Sequence, residues 1–288
     1  MESTTEATAP TPPAARSPRG PKPPRKQAVL EVLGKTRISP RLLRVRLGGE
    51  QYAHLNRNEH SDAYVKLLIA DPASGLTPPY DLEALREESP ELLPARRTYT
   101  VRRWDDEART LDLDFVLHGH GADSGTAAGW ADEALPGDRL ALMGAGGGYT
   151  PDPSTSAHLL IGDHASVPAI AASLESMDPD ATGLVLLQLE HEEDVLELER
   201  PAGIELRWVL GEREQLLETV SSLDLSATAG LQVFCHAERG LTKQLRRVLV
   251  TEAGIPREQI SISAYWALGR IEDQFQAEKR EPIGKIDE

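Results

Sequence analysis

The chain has 288 residues, with 31 Lys and Arg against 46 Asp and Glu, and a formal net charge of -15 at pH 7. This acidic balance disfavours nucleic acid and anionic lipid as partners, and hydrophobic and charged fractions of 40% and 27% are typical of a protein with a buried core, which excludes global disorder. The single cysteine, Cys235, excludes an intrachain disulfide and a cysteine-rich metal site, as expected in the cytoplasm.

Residues 1–26 are predicted to form a disordered tail. They are rich in proline, lack large apolar residues beyond Met1, and carry the basic residues Arg16, Arg19, Lys22, Arg25 and Lys26. Such a segment cannot bury enough apolar surface to offset its chain entropy. It shows no signal peptide, and no stretch of the chain approaches the roughly 18 apolar residues of a membrane span, so membrane insertion is not expected.

Residues 27–153 show short runs in which apolar and polar residues alternate, as in strands with one buried face. The runs cover residues 28–33, 42–47, 64–69, 97–102, 111–117 and 139–143, and turns are expected at residues 48–49 and 136–138. Short strands separated by such turns predict an antiparallel Greek-key β-barrel. Between two of them, residues 81–93 predict a polar helix or lid.

Residues 154–288 change to alternating strands and helices. Strands are expected at residues 158–162, 183–189, 231–235 and 261–266, and helices at residues 168–177, 212–222, 241–252 and 271–280. This alternation predicts a mainly parallel α/β nucleotide-binding domain, whose ligands bind beyond the carboxyl ends of the strands. The predicted fold is therefore a β-barrel domain followed by an α/β domain.

Residues 97–102, with the sequence Arg-Thr-Tyr-Thr-Val-Arg, carry the strongest local motif. An arginine that can grip phosphate through two nitrogens, beside a tyrosine that can pack on a ribose or ring, suits a barrel that holds a flavin nucleotide. An ordinary amphipathic strand gives the same pattern.

Residues 114–131 predict a strand end, a run of small residues and a helix that starts near Ala127. Free backbone N–H groups and the positive end of the helix dipole meet at such a start and favour a pyrophosphate, although a plain glycine-rich loop is the alternative. Residues 162–170 predict a strand, a turn and a helix start with Pro168 in its first turn, but they are not a G-x-G-x-x-G fingerprint.

An ordered set of motifs extends over roughly residues 27–280. The motifs are R-x-Y-T at 97–100, D-F-V-x-H-G at 114–119, G-x-A-x-x-W-A at 125–131, P-G-D at 136–138, G-D-x-x-x-x-P-A-I at 162–170 and Y-W-x-x-G-x-x-E-D at 265–273. The set resembles the siderophore-interacting protein family, FAD-dependent ferric-siderophore reductases of the ferredoxin-reductase superfamily.

The resemblance implies FAD as the cofactor, held by the first domain. The cofactor-binding residues that it implies are Arg97, Tyr99, Thr100, His118, Gly119, Thr126, Ala127 and Ala128, of which the last three offer backbone N–H groups to the diphosphate. Candidates beside a nicotinamide donor, NADH or NADPH, are Asp163, His164 and Trp266, and candidates for attracting an anionic ferric chelate are Lys279 and Arg280. No catalytic side chain and no metal ligand is assigned.

The expected function is reduction of a ferric siderophore in the cytoplasm, with electrons passing from NAD(P)H, or from another donor such as a ferredoxin, through FAD. Reduction to Fe(II) weakens coordination by hard oxygen donors and releases the metal. One alternative is a general NAD(P)H:flavin or ferric-chelate reductase. The other is a non-catalytic FAD-binding interaction or sensor protein, favoured by His164-Ala165 and Ala267, where the family commonly has Glu-Thr and Arg.

Overall fold

The structure is a computed structural model, and it describes residues 26–117, 125–226, 228–279 and 281–286. It confirms the predicted fold class, because a closed antiparallel β-barrel precedes a five-stranded parallel sheet with helices. The predicted tail lies outside the described residues except for Lys26. The predicted boundary between residues 153 and 154 falls between the last barrel strand and the first strand of the sheet, and it stays a prediction.

The barrel strands are paired in the order β1-β2-β5-β4-β3-β6, and every pairing is antiparallel. Their bounds are β1 (Gln27–Ser39), β2 (Leu42–Gly48), β3 (Tyr64–Ile69), β4 (Ala95–Asp105), β5 (Thr110–Val116) and β6 (Arg139–Gly146). Helix α1 (Leu82–Glu88) lies between β3 and β4, where the sequence predicted a helix or lid, and helix α2 (Thr126–Glu133) lies between β5 and β6.

The barrel core follows from the strand period, because every second side chain points inward. Fully buried members include Val45, Leu47, Val65, Leu67, Leu111, Leu113, Phe115 and Leu142. Helix α2 packs against this cluster through Ala127, Trp130 and Ala131. Apolar packing therefore sets where the first turn of α2 lies relative to the barrel.

The sheet strands run parallel in the order β9-β8-β7-β10-β11. Their bounds are β7 (Ala157–Gly162), β8 (Thr182–Leu189), β9 (Gly203–Leu210), β10 (Leu231–Glu238) and β11 (Ile260–Trp266). The helices are α3 (Val167–Glu175), α4 (Arg213–Ser221), α5 (Arg239–Arg246), which continues as a π-helix over Arg247–Glu252, and α6 (Glu272–Glu278). Short 3-10 turns cover Glu50–His54, Pro72–Ser74, Pro90–Leu92, His164–Ser166, Glu192–Asp194, Arg257–Gln259 and Pro282–Gly284.

The chain leaves β7 in one direction, through β8 to β9, and then returns to place β10 on the other side of β7. The order therefore reverses between β7 and β10, and open α/β sheets bind ligands in the crevice at this point. Asp163 follows β7 and Glu238 ends β10, so both residues lie at that crevice.

Side-chain hydrogen bonds join the barrel to the sheet. Arg102 of β4 donates from Nη1 to Oε2 of Glu175 on α3 at 3.1 Å, and the hydroxyls of Ser61 and Ser173 lie 2.8 Å apart. Burial raises the pKa of Glu175, but the hydrogen bond and charge of Arg102 prevail and hold it below the ordinary value. The side of β4 that carries Arg102 therefore faces α3.

Within the described residues, no helix has the length and apolar character needed to cross a membrane.

Candidate functional site

Strand β4 carries the R-x-Y-T motif and sends alternate side chains to two sides. On the side of α2, Nη2 of Arg97 lies 3.4 Å from Oγ1 of Thr126, and the Tyr99 ring packs on Phe115 with centroids 4.4 Å apart. Phe115 in turn lies 6.0 Å from Trp130 of α2. The structure therefore brings together the predicted site residues Arg97, Tyr99 and Thr126.

The first turn of α2 presents uncapped backbone donors. Gly125 precedes the helix with a φ of 71°, a conformation that suits glycine, and no side chain of the described residues caps the helix start. The N–H groups of Thr126, Ala127 and Ala128 therefore have no partner within the helix. With the Arg97 guanidinium beside them, these groups can hold an anion with several oxygens, such as a diphosphate.

The other side of β4 faces the second domain. Thr100 lies near the hydroxyl of Tyr265 of β11, whose pKa is raised, chiefly by burial. Thr98 donates from Oγ1 to Oε1 of Glu272 at 2.9 Å. From the α2 side of the strand, the guanidinium of Arg97 also donates from Nη1 to Oδ2 of Asp273 at 3.1 Å. The C-terminal segment therefore folds back onto β4, where the sequence predicted the flavin.

Asp163 ties together three strand ends at the sheet crevice. Its Oδ1 accepts from the N–H of Ala165 at 3.1 Å, and its Oδ2 accepts from the N–H of Glu238 and from Nε1 of Trp266, each at 2.8 Å. Burial raises the pKa of Asp163 to about 6, against the effect of these hydrogen bonds. Two of the predicted donor residues, Asp163 and Trp266, are thus bonded to each other.

A row of ring contacts leads from Tyr149, which follows β6, to Tyr265 of β11. Tyr149 packs on Phe234 at 4.9 Å, Phe234 stacks on His236 at 4.1 Å with an angle of 7°, and His236 meets Tyr265 edge-on at 4.7 Å. Burial lowers the pKa of His236 to about 3, and its Nδ1 has no hydrogen-bond partner in the described part of the chain. The sequence analysis assigned no role to His236 or Tyr265.

Asp194 is a second residue that sequence reasoning missed. Its side chain is 2% exposed and accepts from the hydroxyl of Ser39 at 2.7 Å and from the backbone N–H and Nη1 of Arg41, each at 2.9 Å. Burial raises the pKa of Asp194, but these bonds outweigh it and lower the pKa overall. Since the Arg41 carbonyl also accepts from the N–H of Leu117, this contact reaches the end of β5.

The remaining predicted residues have various positions. His118, Gly119 and Arg280 lie outside the described residues. His164 is half-buried in the 3-10 turn after Asp163, and Lys279 is exposed with its Nζ 4.6 Å from the Phe275 ring centroid. No described group of three or more His, Cys, Asp or Glu side chains is arranged to hold a metal ion.

Two cavities lie elsewhere on the described surface. One, of about 560 Å³, is lined within residues 197–204, and the other, of about 180 Å³, is lined within residues 76–89. Neither is lined by the motif of β4, the start of α2 or the end of β7. The candidate site is therefore defined by converging side chains and backbone donors.

Two family models match the two halves of the chain. Residues 31–149 match the siderophore-interacting FAD-binding domain, and residues 155–269 match the siderophore-interacting protein model. The ferric vibriobactin reductase ViuB of Vibrio cholerae is 32% identical over 259 residues, which cover 87% of this chain and 93% of that protein. An uncharacterized protein of Mycobacterium tuberculosis is 34% identical over 273 residues, which cover 87% of this chain and 94% of that protein.

A solved structure shows the same architecture over both domains. The siderophore-interacting protein SipS from Aeromonas hydrophila superimposes with a TM-score of 0.76 and 30% identity, covering 91% of this chain and 100% of that chain. The likeness thus extends across the barrel, the sheet and the connection between them.

Proposed function

This chain belongs to the siderophore-interacting protein family, and we propose from this membership and from its site that it reduces ferric siderophores in the cytoplasm, using FAD and a nicotinamide donor. The observation that carries the proposal is the meeting of Arg97 with the uncapped start of α2. These donors suit a diphosphate, and the other side of the same strand contacts the second domain through Thr98 and Arg102.

The residues present fit FAD. Arg97 and the N–H groups of residues 126–128 would hold the diphosphate, and Tyr99 and Thr100, on opposite sides of β4, would hold the flavin half of the cofactor. Bound there, FAD would supply the capacity to take a hydride from a nicotinamide and to pass single electrons to Fe(III). The protein contributes binding, orientation and exclusion of water, which agrees with the lack of an assigned acid, base or nucleophile.

The donor is placed at the crevice beyond β7 and β10. Asp163 fixes the indole of Trp266 through the 2.8 Å bond, so the ring has a set orientation in which it can cover a nicotinamide. His164 follows in the next turn and lines the same crevice. Asp163 therefore acts as a positioning residue, because its oxygens are already bonded within the fold.

We propose that the ferric chelate binds beside the C-terminal segment, near Lys279 and Arg280. Lys279 is exposed there, and Arg280 follows it in sequence. Because the chain is acidic overall, a local positive charge is needed to attract an anionic ferric chelate. Lys279 supplies one such charge, beside the Phe275 ring of α6.

Ala267 favours a second candidate, an FAD-binding protein without donor chemistry. The family resemblance leads one to expect an arginine at this position, and the chain has alanine instead. The side chain of Ala267 is buried in a small cluster with Ala264 and with Phe275 of α6. Anaerobic mixing with NADH separates the candidates: bleaching of the flavin absorbance supports the reductase, and an unchanged spectrum supports the second candidate.

The cofactor assignment is tested by Arg97→Ala. Loss of a charge-assisted phosphate contact costs about 1.5 to 3 kcal/mol of binding free energy, so the dissociation constant for FAD should rise roughly 10- to 150-fold. The constant is measured by titrating apoprotein with FAD and following the quenching of flavin fluorescence. Arg102→Ala is the matched control, since Arg102 lies on the same strand but pairs with Glu175. Equal losses in the two variants, or no FAD binding by the wild type, would contradict the assignment.

A further inference from the structure

Helix α6 places two carboxylates on the strand that is proposed to hold FAD. Oδ2 of Asp273 accepts from Nη1 of Arg97 at 3.1 Å, and Oε1 of Glu272 accepts from Thr98 at 2.9 Å. The partners are 176 and 174 positions apart in the chain, so these contacts arise only when α6 docks on the barrel. Acidic side chains are generally favourable in the first turn of a helix, where they meet the positive end of its dipole. These two also accept hydrogen bonds from Arg97 and Thr98 of the R-x-Y-T motif.

Other residues fix α6 to the second domain. Phe275 is buried in a cluster with Ala264 and Ala267, and Oε1 of Glu278 accepts from Nε of Arg270 at 2.6 Å. Neither contact involves Glu272 or Asp273. The two acids can therefore leave β4 while the inner face and the carboxyl end of the helix stay packed.

The guanidinium of Arg97 is shared between two directions. Its Nη2 points to Thr126 at the start of α2, and its Nη1 donates to Asp273 and also to the backbone carbonyl of Arg96 at 2.9 Å. A phosphate gripped through both nitrogens takes the place of Asp273, and a phosphate on Nη2 alone lies beside a second anion. The Arg97 side chain is 14% exposed, so water screens the repulsion between two such anions only in part.

We propose that Asp273, with Glu272 beside it, holds the place of a phosphate on Arg97 in the cofactor-free protein and competes with the diphosphate of FAD. The inference rests on the proposed function, since it takes Arg97 as the diphosphate ligand. It makes the C-terminal segment a determinant of cofactor affinity: the acids keep Arg97 paired before loading, and a ligand with phosphate must displace them. A flavin without phosphate meets no such competition.

The test measures dissociation constants of Asp273→Asn apoprotein for FAD and for riboflavin, which has the same ring and no phosphate. At low ionic strength we expect FAD to bind to Asp273→Asn about 2- to 5-fold more tightly than to wild type, which is the range of effect of a partly exposed ion pair. The difference should shrink in 0.5 M salt, because salt screens the charges. Riboflavin affinity should not change. Glu281→Gln, which neutralises an exposed acid of the same segment, should leave both affinities unchanged.

The outcomes separate this inference from the proposed function. Unchanged or weaker FAD binding by a folded Asp273→Asn variant would contradict the proposed competition between Asp273 and the diphosphate. Asp273 would then be a residue that holds Arg97 in position for FAD. Equal tightening of FAD and riboflavin also overturns it, because a looser cleft would act on both ligands. Failure of the wild-type apoprotein to bind FAD overturns the proposed function itself, and circular dichroism with a melting curve confirms that each variant is folded.

Discussion

Replacement of His236 by phenylalanine should remove most of an acid-induced loss of stability. In the folded protein His236 is stacked on Phe234 and buried, and burial lowers its pKa to about 3 from 6.5. Below pH 6.5 the unfolded chain takes up a proton at this residue, whereas the folded protein does not until the pH approaches 3. The stability that comes from keeping His236 neutral is therefore fully present above pH 6.5 and is lost as the pH falls toward 3.

The size of the effect follows from linkage. Each pH unit between the unfolded and folded pKa values lowers the free energy of unfolding by about 1.4 kcal/mol, so His236 accounts for a loss of roughly 2 kcal/mol between pH 7 and pH 5. Asp163 acts in the opposite direction, since its folded pKa of about 6 lies above the ordinary 3.8. Its effect is common to wild type and variant and cancels in their difference.

The assay is urea unfolding of wild type and His236→Phe at pH 7 and pH 5. We expect wild type to lose about 2 kcal/mol more than the variant between the two pH values. Ser261→Ala is the control, because it removes the hydroxyl 3.1 Å from Nε2 but keeps the imidazole, and so should keep the wild-type pH dependence. An equal pH dependence in wild type and His236→Phe would refute the reasoning.

Three further predictions address the donor, the joint between domains and the substrate. NADH should give higher steady-state rates than NADPH, because the exposed acids of residues 190–193 follow β8 and repel a 2'-phosphate; an advantage for NADPH would contradict this. Asp194→Asn should lower the free energy of unfolding by about 1 to 3 kcal/mol, since it leaves the buried hydroxyl of Ser39 and the partly exposed guanidinium of Arg41 poorly paired, whereas the exposed Glu193→Gln should change it by less than about 0.5 kcal/mol. Lys279→Ala should slow reduction of anionic ferric chelates more than neutral ones at low salt, and equal effects on both would place substrate capture elsewhere.

The fold class was readable from the sequence because period and composition report directly on burial. The alternation of apolar and polar side chains in residues 64–69 predicted β3 with the bounds that the structure shows. The alternating strands and helices that follow along the chain predicted the parallel sheet. Strand β9 (Gly203–Leu210) was missed. It is the edge strand of the sheet, and its exposed Glu205 and Arg207, which pair at 2.6 Å, interrupt the apolar run that marked its neighbours.

The site was predicted in part. Motifs indicated Arg97, Tyr99 and the start of α2 as one cofactor site, and the structure brings them together. His118 and Gly119 lie outside the described residues, so those two assignments stay predictions. His236 gave no sequence signal of its own, because a histidine inside a buried strand looks like any polar interruption.

The sequence by itself determined which face of each strand and helix is apolar, and with it the barrel, the sheet and the positions of the motifs. Only the tertiary structure decided which polar groups meet: Asp273 on Arg97, and Asp194 on Ser39 across 155 positions of chain. The physical reason is that burial leaves a periodic record along the chain, whereas a hydrogen bond between distant residues depends on how whole elements dock and leaves no local pattern.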